Sequence, residues 1–153
     1  MINELDILFM REALLEAEAA ALDDEVPVGA VMVRNGEIIA RARNRREKDK
    51  NPLSHAEIKI INDTCRALGG WRLVGCTLYV TLEPCPMCAG AIINSRIERV
   101  VFGAFDEKAG AFGTMINLTE YPLFRPQITG GVLKDECSAI LTEFFKKKRK
   151  TKE

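Results

Sequence analysis

The 153-residue sequence is short of several things at once: it has one histidine, one tryptophan and no net charge, with 22 basic against 22 acidic residues. No apolar run approaches the roughly 20 residues that a membrane-spanning helix needs, so no membrane association is expected. The opening Met1 to Asp6 carries acid where a signal peptide needs basic residues, and a cytoplasmic location is the expectation. No internal repeat and no low-complexity stretch precedes the lysine run at the C-terminus. What is present is an ordinary globular balance, 47% hydrophobic and 29% charged, which excludes a disordered chain. At this length one domain over residues 1–153 is expected.

Neutrality taken over the whole chain argues against a polyanion partner, because nucleic-acid binders usually carry a basic excess. The distribution points the other way. Residues 146–153 hold six basic residues and one acidic one, a local charge of +5, which leaves −5 on residues 1–145. This basic tail is the only strongly charged block. The five cysteines, Cys65, Cys76, Cys85, Cys88 and Cys137, are odd in number and lack an export signal, which favours metal binding or buried thiols over disulfides.

Hydrophobic periodicity outlines the elements. Leu5, Leu8, Phe9, Leu14 and Leu15 recur among alanines and acids between about Leu5 and Leu22, the stripe of a helix that packs one face on a core. Pro27 to Val33 and Glu37 to Ala42 read as strands joined at Asn35 and Gly36, a hairpin signal. Residues 43–53 read as a polar loop leading to a helix that starts near Ser54 and ends at Gly69 and Gly70. Thr77 to Leu82 is a buried strand, and Pro86 to Ser95 a helix with proline in its first turn. Arg99 to Gly103 is a short strand, and residues 104–126 form a loop long enough to be functional. Gln127 to Thr129 is a last strand, and Val132 to Lys148 a last helix carrying the basic tail. Strands alternating with helices after one hairpin imply a mixed sheet covered on both faces, a three-layer α/β/α architecture.

The chemistry concentrates at two predicted helix starts. His55 is the only histidine, and Glu57 follows two residues later; Cys85 and Cys88 open the next helix. One imidazole and two thiolates leave the fourth tetrahedral position of zinc open for water, the catalytic arrangement. A helix N-terminus also favours thiolate and opposes protonation of the imidazole, which prepares both groups for metal. Each half has a plainer reading. Ser54 to Glu57 fits a capping box, and Cys85 with Cys88 fits a thioredoxin-like redox pair. The combination H-x-E with P-C-x-x-C is the general signature of zinc nucleobase deaminases. In that chemistry an activated water attacks the ring carbon bearing the exocyclic amine. A carboxylate that is not a ligand, here Glu57, relays protons to the ring nitrogen and the leaving ammonia. Cys65, Cys76 and Cys137 sit in apolar segments and read as inert buried thiols.

Around these motifs the sequence resembles the bacterial tRNA adenosine deaminases, within the cytidine and deoxycytidylate deaminase superfamily. The resemblance runs over nearly the whole chain. It includes EVPVGAV at residues 25–31, Asn44, the His55 to Glu57 triplet, TLYVTLEPCPMCAGA at 77–91, Ser95 to Ile97, VVFGA at 100–104, Asp106 and the helix from Cys137 to Phe145. It implies a cytidine deaminase-like fold with a five-stranded mixed sheet, one Zn2+ per subunit and a homodimer. The implied reaction is conversion of the wobble adenosine of an arginine tRNA to inosine, with that nucleotide flipped into the zinc pocket. By the same resemblance Asn44 contacts the flipped nucleotide, Val28 and Ala56 line the base, and Asp106 sits in the loop that receives the anticodon strand. Phe144, Phe145 and the basic tail meet the anticodon stem-loop. From the residues alone, Asn44 reads equally as a turn residue, Asp106 as a solvated loop acid and the tail as a frayed helix end. Where many members carry Asn-His before the last strand, this chain has Phe124, Arg125 and Pro126, so no tRNA contact carries over there. The alternatives are a deaminase of free guanine or cytosine, a non-catalytic zinc-stabilised RNA-binding module, and a thiol oxidoreductase that binds no metal.

Overall fold

A computed structural model describes residues 2–151. Its strands are β1 (Gly29–Arg34), β2 (Glu37–Arg43), β3 (Cys76–Leu82), β4 (Arg99–Ala104) and β5 (Gln127–Gly130); its helices are α1 (Glu4–Leu22), α2 (Arg46–Asp49), α3 (Ala56–Leu68), α4 (Pro86–Asn94) and α5 (Lys134–Thr151). The strands form one sheet in the order β2-β1-β3-β4-β5. β1 pairs antiparallel with β2 and β3, whereas β3–β4 and β4–β5 are parallel, which gives the expected five-stranded mixed sheet.

The period-two alternation of strand side chains builds two cores from one sheet. Ala30, Met32, Leu78, Val80, Val100 and Phe102 face α3 and α4, packing with Ile60, Ile92 and Ile93. Their sequence neighbours Val31, Val33, Tyr79 and Val101 point the other way, toward Phe9, Met10 and Ala13 of α1 and Cys137 of α5. The three layers are therefore α1 and α5, the sheet, then α3 and α4.

Four expectations need correcting. The leucine stripe of α1 is not its buried face: Leu5, Leu8 and Leu15 are 60%, 54% and 51% exposed, and Leu14 is half-buried. Of that stripe only Phe9 is buried, together with Met10, Ala13, Ala17 and Ala20. The reason is clearance. α1 crosses the start of β1 so closely that a Cβ on Gly29 would lie 2.1 Å from the Ala13 carbonyl oxygen, so alanines fit where leucines would collide.

The stretch 43–53 is not wholly loop, because it holds α2. Buried Glu25 supports that short helix by accepting hydrogen bonds from the backbone N–H groups of Glu47 (3.1 Å) and Lys48 (2.8 Å). The last helix begins at Lys134 and runs to Thr151, so most of the basic tail is helical; residues 152–153 lie outside the described ones. Cys76 and Cys137 are buried as expected, but Cys65 is only partly buried. The long 104–126 segment contains one short 3₁₀ turn, Leu118–Glu120, and a bridge between Phe112 and Asn117.

Candidate active site and metal centre

The turn after β3 and the start of α3 bring their reactive groups together. After β3, Glu83 and Pro84 lead into α4, whose N-cap is Cys85 and whose first residue is Pro86, a ring already set at a helical φ. Cys88 falls in the first turn. At α3 the N-cap is His55, in an extended conformation and without a side-chain cap bond. Glu57 therefore stands at the second helical position, one short of where a capping box needs it, and the capping reading fails.

The His55 ring presents Nδ1 to both sulfurs, 3.7 Å from Cys85 Sγ and 3.5 Å from Cys88 Sγ. Zinc bonds of about 2.3 Å to sulfur and 2.0–2.1 Å to nitrogen at a tetrahedral angle require an N···S separation of about 3.6 Å. The three donor atoms all lie within 4.8 Å of one another. The set fits a metal ion with its fourth position left open.

The expectation of thiolate at both cysteines and neutral imidazole holds for Cys85, which is lowered, and not for Cys88 and His55, which are raised by the protons the cluster shares. A hydrogen bond from Cys88, helped by one from His55, lowers the Cys85 thiol to about 4 despite its burial. Cys88 is pushed up, first by sharing that proton with Cys85 and then by burial. His55 is raised, chiefly by its hydrogen bond to Cys85. Three donors thus share protons that a metal would displace on binding. Glu57 is 4% exposed, and burial raises its carboxyl to about 7, near the value a proton relay needs at neutral pH.

A cavity of about 180 Å³ opens onto this cluster. His55, Glu57 and Cys85 line it together with Val28, Asn44, Ala56 and Asp106, so seven residues singled out in the sequence meet on one wall-to-wall surface. Cys88 is fully buried behind them. Asn44 is buried, its amide nitrogen donates to the Val26 carbonyl at 3.4 Å, and its Oδ1 has no partner among the described residues. A buried acceptor without a partner is uncommon in a folded chain, and this one belongs to a residue that lines the cavity. Asp106 spends Oδ1 on its own turn, accepting from the backbone N–H groups of Lys108 (3.0 Å) and Ala109 (3.1 Å). Phe144 and Phe145 do not line the cavity. They line an adjoining groove that shares Val26, Asn44 and Arg46 with it.

A family model for MafB19-like deaminases matches residues 4–149. The chain belongs to this MafB19-like deaminase family. Among the relatives of this MafB19-like deaminase, the tRNA-specific adenosine deaminase of Bacillus subtilis (strain 168) is 55% identical over 149 residues, spanning 96% of this chain and 92% of its own. A structure from studies of A-to-I editing by tRNA:A34 deaminases at the wobble position of transfer RNA superposes with a TM-score of 0.85 at 45% identity, covering 88% of this chain and 99% of its own. The guanine deaminase of Nitrosomonas europaea shares the fold at a TM-score of 0.78 and 25% identity, over 90% of this chain and 83% of its own.

Sequence reasoning missed two charged residues of this MafB19-like deaminase's cavity, Arg46 and Glu83. Arg46 lies two residues after Asn44 in a stretch read as loop, and only the short helix reveals where it stands. Glu83 could have been noticed as an acid directly after an apolar strand, a placement that costs energy unless the group is fully hydrogen-bonded.

Proposed function

We propose that this chain converts adenosine to inosine by hydrolytic deamination at the wobble position of a tRNA, with zinc held by His55, Cys85 and Cys88. The observation that carries this reading is the meeting of that donor set with buried Glu57 in one cavity, in a chain 55% identical to a tRNA-specific adenosine deaminase. Zinc held there would supply Lewis acidity and lower the pKa of a water bound at the open position. Glu57 would take one proton from the attacking water and pass it to the ring nitrogen, then take the second proton from the same oxygen and pass it to the departing amine, which leaves as ammonia. Val28 and Ala56 pack the base edge, and Asn44 offers its open Oδ1 as a hydrogen-bond acceptor.

The substrate is the anticodon stem-loop of an arginine tRNA, and the groove holding Phe144 and Phe145 is its path to the cavity. Phe145 and Lys148 of that groove also border a neighbouring depression with Lys108 and Arg149, a combination that suits stacked bases and phosphates. A homodimer is part of the reading. Met115, Ile116, Tyr121 and Leu123 lie 46–58% exposed along one loop, apolar surface of the kind a subunit interface covers. Among the described residues no helix is long and apolar enough to cross a membrane, and a cytoplasmic place of action is proposed.

The test incubates zinc-loaded protein with an arginine anticodon stem-loop bearing wobble adenosine, beside free guanine and cytosine, and reads products by mass spectrometry. Inosine from the wild type and none from Glu57→Ala is the expected result. Deamination of a free base in place of the stem-loop would retain the metal chemistry and replace the substrate. A metal-bound protein inert toward all three would favour the non-catalytic module. Redox cycling of Cys85 and Cys88 without bound metal would favour the oxidoreductase.

A further inference from the structure

Glu83 is 2% exposed, and no basic side chain forms an ion pair with it among the described residues. Its carboxylate is satisfied by the chain itself. Oε1 accepts from the backbone N–H of Asp106 (3.1 Å) and the hydroxyl of Thr114 (2.5 Å). Oε2 accepts from the backbone N–H groups of Phe112 (3.1 Å) and Thr114 (3.2 Å). Four donors from one loop therefore converge on one side chain that also lines the cavity. The loop closes tightly around it: the Gly110 N–H donates to the Asp106 carbonyl at 2.9 Å and the Ala111 N–H to the Pro84 carbonyl at 2.9 Å. A Cβ on Gly110 would sit 2.5 Å from the Glu83 carboxyl carbon and from Oε1, so glycine is required for the wrap.

We infer that Glu83 is a positioning residue, whose carboxylate clamps residues 106–114 so that Asp106 and Ala109 form the substrate-facing wall beside the metal donors. That the wall faces a nucleotide rests on the function proposed above; the clamp itself does not. Both oxygens are needed, since each takes two donors. A glutamine in its place offers one oxygen and turns an NH₂ toward two further N–H or O–H donors, which is repulsive where the carboxylate is attractive. Glu83 directly follows β3 and stands two residues before Cys85, so the clamp couples loop placement to the metal ligands through a short segment.

The test compares Glu83→Gln, Gly110→Ala, Thr114→Val and Thr114→Ser as full-length zinc-loaded proteins. Hydrogen exchange at the Asp106, Phe112 and Thr114 amides is expected to speed up by about tenfold or more in Glu83→Gln and Gly110→Ala, with exchange in the central strands unchanged. The KM for the stem-loop rises about tenfold with a smaller change in kcat and no loss of zinc, because the wall orients substrate without touching the reacting atoms. Thr114→Val shows the same pattern more weakly, and Thr114→Ser restores it. Wild-type exchange at those three amides in Glu83→Gln overturns the clamp. So does zinc loss together with faster exchange throughout the chain, which marks a merely structural residue. If Glu83→Gln fails to fold, Thr114→Val against Thr114→Ser decides by the same readouts. If the wild type makes no inosine, the proposed function fails while the exchange measurement still decides the clamp.

Discussion

Arg99 of β4 grips Asp6 of α1 with two parallel hydrogen bonds, Nη1 to Oδ1 and Nη2 to Oδ2, both 2.8 Å. Tyr79 of β3 donates its hydroxyl to the same Oδ1 at 2.8 Å, and Asp6 is fully buried. One carboxylate thus joins the first helix to the two central strands. Burial pushes the Asp6 carboxyl up, but the Arg99 and Tyr79 hydrogen bonds outweigh it and leave the group below the usual carboxylate range. Burial and the same contact drive the Tyr79 hydroxyl up.

Asp6→Ala should therefore cost about 3 kcal/mol at pH 7, because it leaves Arg99 and Tyr79 without their shared acceptor. The pH dependence has a definite sign. A carboxyl lowered by folding stabilises above its unfolded value of about 3.9, and that contribution is lost as pH falls through the lower folded value. Urea unfolding of both proteins should show the gap shrinking as pH is lowered from 7 to 3. An equal gap at both ends would rule out an ionic origin.

Glu57→Gln keeps the shape of the side chain and removes the ionisable carboxyl that can take up and release a proton. Turnover of the stem-loop should fall about 10² to 10⁴-fold, the range general acid–base catalysis supplies, with zinc content unchanged by metal analysis. Loss of zinc in this variant would reassign Glu57 from proton relay to metal site.

The cysteines should separate by reactivity. In metal-free protein at pH 6, Cys85, lowered to about 4, is largely thiolate and should label fastest with a maleimide. Cys137, which burial pushes up to about 12, should stay unlabelled until the chain unfolds. Zinc should protect Cys85 and Cys88 while leaving the rate at partly buried Cys65 unchanged, as peptide mapping would report.

Phe145 is 44% exposed beside Lys148 and Arg149. Phe145→Ala should weaken stem-loop binding by about 1–3 kcal/mol if a base stacks there. Arg149→Ala should lower the salt dependence of binding by about one phosphate contact. Lys148 already pairs with Asp24 at 2.5 Å, so its replacement should change the slope less. Fluorescence titrations at several salt concentrations distinguish the three variants.

On α1, Leu8→Lys and Leu15→Lys should change stability by no more than about 0.5 kcal/mol, because both leucines face solvent. Ala13→Leu, which looks conservative in sequence, should cost at least about 1–3 kcal/mol by forcing α1 off the sheet. Thermal unfolding of the three variants gives the ranking directly.

Much of this was legible in the chain. The strand residues 77–82 and 99–103 and the Gly69 stop of α3 follow from period, turn chemistry and glycine. His55, Glu57, Cys85 and Cys88 declare themselves because zinc chemistry demands particular atoms at particular spacings. α1 misled because hydrophobicity ranks side chains by apolar surface, whereas the clearance over Gly29 admits only small ones. Glu25 and Glu83 received no reading of their own for a related reason: nothing in the string marks an acid as buried until the backbone donors that satisfy it are in place.

The sequence by itself determined the reactive groups, the alternation that splits one sheet between two cores, and the family to which the chain belongs. Tertiary structure alone decided that Asn44 keeps an unpartnered acceptor on the cavity wall, that Phe144 and Phe145 border a groove beside it, and that Arg46 and Glu83 join the site. The division has a physical cause. Bond chemistry and side-chain period are local and survive in a one-dimensional string, while clearance, burial and shared hydrogen bonds depend on residues far apart in the chain, as Glu83 and Thr114 are.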